Sequence, residues 1–256
     1  MKTGLLETRG VSKRFGGLKA VDGVDLTLFS GEILGVLGPN GAGKTVFFNL
    51  VSGIYEPTEG EIFFKETRID GYAPHAIAAL GIGRTFQIVK PLKSLTVLEN
   101  VLVSLGVARY GRLSRIWGPF RSARQLDAAM EVLEKVGLAP LAHRKAGLLP
   151  LGTLRRLEIA RAMVVGHTLI LLDESFSGLR HEEIVSLEAL IRTIREREGR
   201  TIILIEHNMS VTMGLCDRIV VLDHGRKIAE GTPGEIQSNE QVIEAYLGAA
   251  GVDHAP

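Results

Sequence analysis

Residues 169–180 read LILLDESFSGLR, four aliphatic side chains ending in two adjacent acids, Asp173 and Glu174. Carboxylates at the end of a run built for burial are costly unless they have work to do. A second segment suggests that work. Residues 38–45, GPNGAGKT, form a complete GxxxxGK[ST] phosphate loop. Its glycines let backbone N–H groups crowd around phosphate oxygens, and the following helix points its positive end at them. Lys44 reaches the β- and γ-phosphates, and the Thr45 hydroxyl can ligate Mg²⁺. Such a loop requires an acid-bearing strand on the metal side. Asp173 suits that place. Glu174, one residue further on, can polarise an attacking water. Without the phosphate loop the two acids would read as a solvated strand end.

These residues need rigid elements beneath them. The run EILGVLG leads into the phosphate loop and KTVFFNLVSG follows it, as a strand and an amphipathic helix would. LILLDE and TIILIEH are two further aliphatic runs without alternation, which suits parallel strands covered on both faces. EEIVSLEALIRTIRERE has helical spacing and lies between them, so right-handed crossovers are expected. VDLTLFSGE alternates in part and predicts an antiparallel strand, within an N-terminal region of short strands broken by Gly16, Gly17 and Gly23. DRIVVLDHGRKIAEG predicts a hairpin turning near Gly225. Between Pro91 and Val165, SLTVLENVLVSL, RQLDAAMEVLEKVGL and TLRRLEIARAMVV all carry helical periodicity with no strand-like run between them.

The bulk properties fit such a chain. Its 256 residues suffice for a large domain with an insert, and 45% hydrophobic with 23% charged residues is an ordinary globular balance. A net charge of +1 leaves no global field for steering polyanions, so no nucleic-acid partner is expected. The single cysteine, Cys216, permits no intrachain disulfide and reads as a small buried hydrophobe. The opening MKTGLLETRG lacks the apolar run of a signal peptide, and no segment has the apolar length to span a bilayer. A cytoplasmic protein is expected, with any membrane role supplied by a partner.

GPNGAGKT, RTFQ with Gln87, LGTLRRLEIARA, LLDE and IEH with His207 occur in that order. The chain resembles the ATP-binding subunit of an ABC transporter along nearly its whole length. FGGLKAVDGVDL, the long middle insert and the ending EGTPGEI...VIEAYLG are similar to the branched-chain amino-acid importer branch. Importers of urea and short amides share these features. The resemblance implies an α/β P-loop NTPase core with a mainly parallel sheet, an N-terminal antiparallel β-subdomain and an inserted helical subdomain. Residues 1–90 and 166–240 would form the core, 91–165 the helical insert, and 241–256 a tail of one domain.

The resemblance also implies roles. The nucleotide would be held by Phe15 against adenine and by Gly38, Pro39, Asn40, Gly41, Ala42, Gly43, Lys44, Thr45 and Val46. Pro150, Gly152 and Thr153, at the signature position, would cap the nucleotide of a partner subunit. Thr45, Gln87 and Asp173 would hold Mg²⁺, and Glu174, His207, Lys44 and Gln87 would be catalytic. On their own, Phe15 could be a core ring, Gln87 a loop residue and His207 a structural histidine. The implied assembly is a head-to-tail dimer with a second, different ATPase subunit. It would sit on the inner face of the membrane beneath permease subunits, served indirectly by an extracytoplasmic solute-binding protein.

The chain departs from the pattern at five places. Ser175 replaces the usual proline after the glutamate, and Arg180 replaces an aspartate. At the signature, Pro150 and Thr153 stand where serine and glutamine are usual. Val46 lacks the usual second hydroxyl, removing a charge-assisted hydrogen bond of about 1.5–3 kcal/mol. Most of these positions serve the dimer interface, which points to a heterodimer. The alternatives are the ATPase of a lipopolysaccharide-type exporter, a non-transport ABC ATPase, or a non-hydrolysing regulatory subunit. Residues 106–125 mix Arg109, Arg112, Arg115, Arg121 and Arg124 with Tyr110, Trp117 and Phe120. That mixture suits a face toward permease or lipid headgroups, or a solvated extension.

Overall fold

The structure, a computed structural model, describes residues 4–85, 91–109 and 122–250. The first half contains β1 (Gly4–Phe15), β2 (Leu18–Phe29), β3 (Ile33–Leu37), α1 (Lys44–Val51), β4 (Glu59–Phe64), β5 (Thr67–Arg68), α2 (Pro74–Ala79), β6 (Ile82–Arg84), α3 (Val97–Arg109) and α4 (Ala123–Lys135). Then follow α5 (Leu151–Val165), β7 (Leu169–Asp173), α6 (His181–Glu198), β8 (Thr201–Ile205), α7 (Met209–Leu215), β9 (Arg218–Asp223), β10 (Arg226–Gly231), α8 (Pro233–Gln237) and α9 (Glu240–Ala250). They divide into two compact units, residues 1–74 with 195–256 and residues 75–194.

In the first unit an antiparallel sheet runs β2-β1-β4-β5. β1 and β2 are each 12 residues long, not the short broken pieces expected. Gly10 and Gly23 adopt positive φ inside them, and the β1–β2 register shifts between Thr8 and Val11 and again beyond it. Glycine there makes bulges that bend a strand without ending it. The same unit holds a second sheet with neighbours β10-β9-β3-β8. β3 pairs in parallel with both β8 and β9, and β9–β10 is the expected antiparallel hairpin. All five residues of β3 and of β8 are buried, which is why their sequences do not alternate. α1 packs Phe47 and Phe48 fully inside. Each such ring contributes roughly 1.5–3 kcal/mol by removal from water.

The second unit has a parallel pair, β6–β7, and the helices α3, α4 and α5, with α3 and α5 in contact. Among its described residues the stretch 91–165 contains helices and no named strand. α5 buries Leu157, Ile159, Ala160, Ala162 and Met163. The three-residue β6 had no signal of its own. It carries too few residues for a period, and pairing with β7 defines it.

Candidate active site

β3 ends at Leu37 and the chain turns at Gly38, whose φ is +146°. A Cβ there would overlap the carbonyl oxygen of Leu222 on β9, so only glycine lets the loop leave the sheet at this height. Gly43 caps α1 with φ of 96°, and a Cβ there would overlap the Ala20 carbonyl oxygen. Between them Asn40 and Gly41 are exposed, Pro39 is half-buried and Ala42 is buried. Lys44 is only 5% exposed, and its Nζ donates to the carbonyl oxygens of Gly38 at 2.7 Å and Pro39 at 2.8 Å. The ammonium is thus folded over the loop that precedes it. Thr45 and Val46 follow in the first turn of α1, half-buried.

Phe15 closes β1 and is 42% exposed, so it is not a core ring. It meets Tyr55 edge-on at 5.2 Å, and the Lys13 ammonium lies 5.5 Å from its centroid and 5.8 Å from that of Tyr55. An open aromatic pair with a cation nearby is a surface that can stack a planar base. His207 is exposed just beyond β8, after the buried Glu206. Asn208 then caps α7 by accepting from the N–H groups of Ser210 and Val211.

In the second unit Asp173 is the last residue of β7 and 1% exposed. Its carboxylate pairs with Arg84 at 2.9 Å, and its backbone N–H donates to the Thr85 hydroxyl at 3.0 Å. Thr85 also lies 3.3 Å from the Ser175 hydroxyl, so the residue in the usual proline position is buried in a hydroxyl pair. Glu174 sits between them with φ of +49°, a left-handed conformation that costs a non-glycine residue roughly 1–3 kcal/mol. The residue is half-buried. Sequence reading missed Arg84 and Thr85. Their place in RTFQ, two and three residues before Gln87, was the available signal. Gln87 itself lies outside the described residues, as do Arg112, Arg115, Arg121, Tyr110, Trp117 and Phe120. Arg124 is exposed in α4.

The signature helix α5 begins at Leu151, with Pro150 as an extended N-cap that offers no side-chain hydrogen bond. Gly152 and Thr153 fill its first turn, beside a cavity of about 270 Å³ that Arg156 and Glu183 also line. The SFSGLR segment packs here. Arg155 donates to the Ser177 carbonyl oxygen at 3.3 Å and pairs with Glu158 at 3.5 Å. A Cβ on Gly152 would overlap the Glu183 carboxylate, which accepts the backbone N–H of Arg180 at 2.9 Å. Arg180 is exposed.

Comparison with known proteins identifies this arrangement. A family model described as "ABC transporter" matches residues 21–177. The chain belongs to the ABC transporter family of ATP-binding cassettes. A second model, "Branched-chain amino acid ATP-binding cassette transporter", matches residues 226–252. The cassette is 43% identical over 256 residues to the high-affinity branched-chain amino acid transport ATP-binding protein LivG of Escherichia coli K12, covering 98% of this chain and 100% of that one. It is 42% identical over 257 residues to BraF of Pseudomonas aeruginosa, a protein of the same description, with the same coverage. Among solved structures, the ADP conformation of an ATP-binding cassette superposes with a TM-score of 0.86 at 31% identity, covering 96% of this chain and 99% of that one. A dimeric post-hydrolysis cassette bound to ADP and Pi gives 0.75 at 25%, covering 89% and 98%.

The cassette is therefore an ATPase subunit of a transport system, with the P-loop α/β fold of its family. No helix among the described residues is long and apolar enough to cross a membrane. Thr45 offers a hydroxyl in the first unit and Asp173 a carboxylate in the second, both hard oxygens. Among the described residues no cluster of three or more His, Cys, Asp or Glu could cage an ion. Oxygen donors of this type suit Mg²⁺, which takes one or two protein oxygens and completes its shell with phosphate and water.

Proposed function

We propose that this cassette powers an importer for branched-chain amino acids, working with permease subunits, a second ATPase subunit and an extracytoplasmic solute-binding protein. The observation that carries the cargo is the C-terminal match over residues 226–252, which covers all of β10, α8 and α9. The model that matches them is described as a branched-chain amino acid cassette, not as the general one. The full-length likeness to LivG and BraF supports the same reading.

At the site, residues 38–45 wrap the triphosphate, and Lys44 exchanges its two loop carbonyls for β/γ-phosphate oxygens. Phe15 takes the adenine face. Thr45, Gln87 and Asp173 hold Mg²⁺, which when bound neutralises charge developing on the phosphates. Glu174 orients and polarises the attacking water, and its strained backbone sets the carboxylate at the strand end. His207 reaches the γ-phosphate from the end of β8. Pro150, Gly152 and Thr153 offer the start of α5 to the partner's nucleotide, mainly through backbone N–H groups. The protein sits on the inner face of the membrane.

The test is reconstitution. The complex assembled with its cognate permeases and binding protein should take up leucine, isoleucine or valine with ATP and lose uptake in the Lys44→Ala variant. Uptake of urea or short amides in place of the three amino acids would overturn the cargo.

A further inference from the structure

The phosphate loop is held from outside itself by the C-terminal elements. The backbone N–H of Gly38 donates to the Tyr246 hydroxyl on α9 at 3.0 Å. At the loop's other end the N–H of Gly225, in the β9–β10 turn, donates to the Ala42 carbonyl oxygen at 3.1 Å. The Gly225 carbonyl in turn accepts the N–H of Asp22 at 2.8 Å, tying the turn to β2. Gly38 is also the residue whose carbonyl oxygen holds Lys44. Tyr246 thus acts on one side of a residue and Lys44 on the other. We propose that α9 is a clasp on the phosphate loop and that Tyr246 is a positioning residue, fixing Gly38 so that the loop is set for nucleotide before it binds.

Three observations carry this. Gly38 passes so close to Leu222 of β9 that a Cβ on it would overlap that carbonyl oxygen, and a hydrogen bond at its N–H opposes rotation of its peptide group. α9 is anchored by Val242, 3% exposed, one turn before Tyr246. Burial raises the Tyr246 phenol above its ordinary range, so the hydroxyl stays neutral at physiological pH. A loop ordered in advance does not have to be ordered by the ligand, and that difference appears as affinity. Tyr246 belongs to the segment that matches the branched-chain cassette model.

The inference rests on residues 38–45 being the nucleotide site, and the experiment separates the two. ATP and ADP binding without metal is measured by calorimetry on the purified full chain, wild type, Tyr246→Phe and Lys44→Ala. Tyr246→Phe removes one oxygen and leaves the ring. It should weaken nucleotide about five- to tenfold, the worth of one hydrogen bond with its buried partner left unmade. Basal ATPase should show a raised KM with kcat nearly unchanged. Hydrogen exchange should quicken over residues 38–43 while α9 keeps its protection, which a general loss of structure would not produce. Unchanged affinity and exchange in Tyr246→Phe, with Lys44→Ala defective, would overturn the clasp alone. Full affinity in Lys44→Ala would overturn the phosphate-loop reading beneath it. Should Tyr246→Phe not fold, the wild type decides: a Gly38 amide exchanging as fast as that of exposed Gly41 refutes the hydrogen bond.

Discussion

Arg84 and Asp173 form a pair that only a folded chain brings together, 89 residues apart and 9% and 1% exposed. Removing one partner leaves the other charge buried, which costs far more than the net worth of the pair. Arg84→Met should therefore destabilise the protein by about 3–5 kcal/mol, read as a fall in the urea midpoint. Glu174 presents the opposite case. It is half-buried and holds a left-handed backbone, which a glutamate-to-glutamine change leaves as it is. Glu174→Gln keeps shape and removes the carboxylate that acts on water. ATP binding should stay within about twofold of wild type while turnover falls by about 100-fold or more. Equal losses of binding and turnover, by calorimetry and phosphate release, would show that Glu174 serves the ground state.

At the scale of elements, short helices depend on their ends. α8 has only five residues, with Pro233 at its first position and a capping box between Thr232 and Glu235. The Thr232 hydroxyl accepts the Glu235 N–H at 3.4 Å, and the Glu235 carboxylate accepts the Thr232 N–H at 2.7 Å. The Thr232 backbone N–H first, and then its hydroxyl, holds the Glu235 carboxyl below its usual range. A depressed carboxyl stabilises the fold above its unfolded pKa, and that contribution disappears as pH falls through the folded value. Thr232→Ala should cost about 1 kcal/mol at neutral pH, and the deficit should shrink in acid below the ordinary glutamate range. Thermal melts of both proteins from pH 7 to pH 3 measure this. A deficit constant with pH would mean that the hydroxyl's own hydrogen bond to the Glu235 carboxylate contributes nothing, since the backbone N–H of residue 232 is unchanged by the substitution.

For the whole assembly, the proposed head-to-tail pairing with a second ATPase subunit predicts two unequal composite sites, because the chain departs from the family pattern at the signature. Pro150 brings no hydroxyl to the start of α5, and Glu183 already sets a carboxylate against Gly152 in the same first turn. On the proposed reading, a partner's γ-phosphate would meet a weaker anion site there than a serine-led helix would give. Lys44, Thr45, Asp173, Glu174 and His207 are all present in the sequence, so on the proposed reading this chain supplies the residues for hydrolysis. In the reconstituted transporter, Glu174→Gln should remove most steady-state ATPase activity. Disabling the matching glutamate of the second subunit should remove less. Equal losses would argue for symmetric sites, and a larger loss from the partner's change would make this chain the weaker member.

The phosphate loop, the aliphatic strands and the large helices were legible because each is a local pattern. A GxxxxGK[ST] spacing, an unbroken buried run and a 3.6-residue period are all set by neighbours in sequence. Gly16 and Gly17 do separate β1 from β2, but Gly23 lies inside β2, since the same residue ends a strand or bulges it depending on a partner strand that composition does not reveal. β6 was invisible for the same reason. The tertiary structure alone decided what holds the chemistry in place. It set Arg84 and Thr85 on Asp173, Tyr55 and Lys13 around Phe15, and Tyr246 and Gly225 on the phosphate loop. Each is a single hydrogen bond, ion pair or ring contact between residues far apart in the chain, apart from Lys13 beside Phe15. Such contacts leave no period or spacing in a sequence, because their geometry exists only once the sheets have brought both partners to one place.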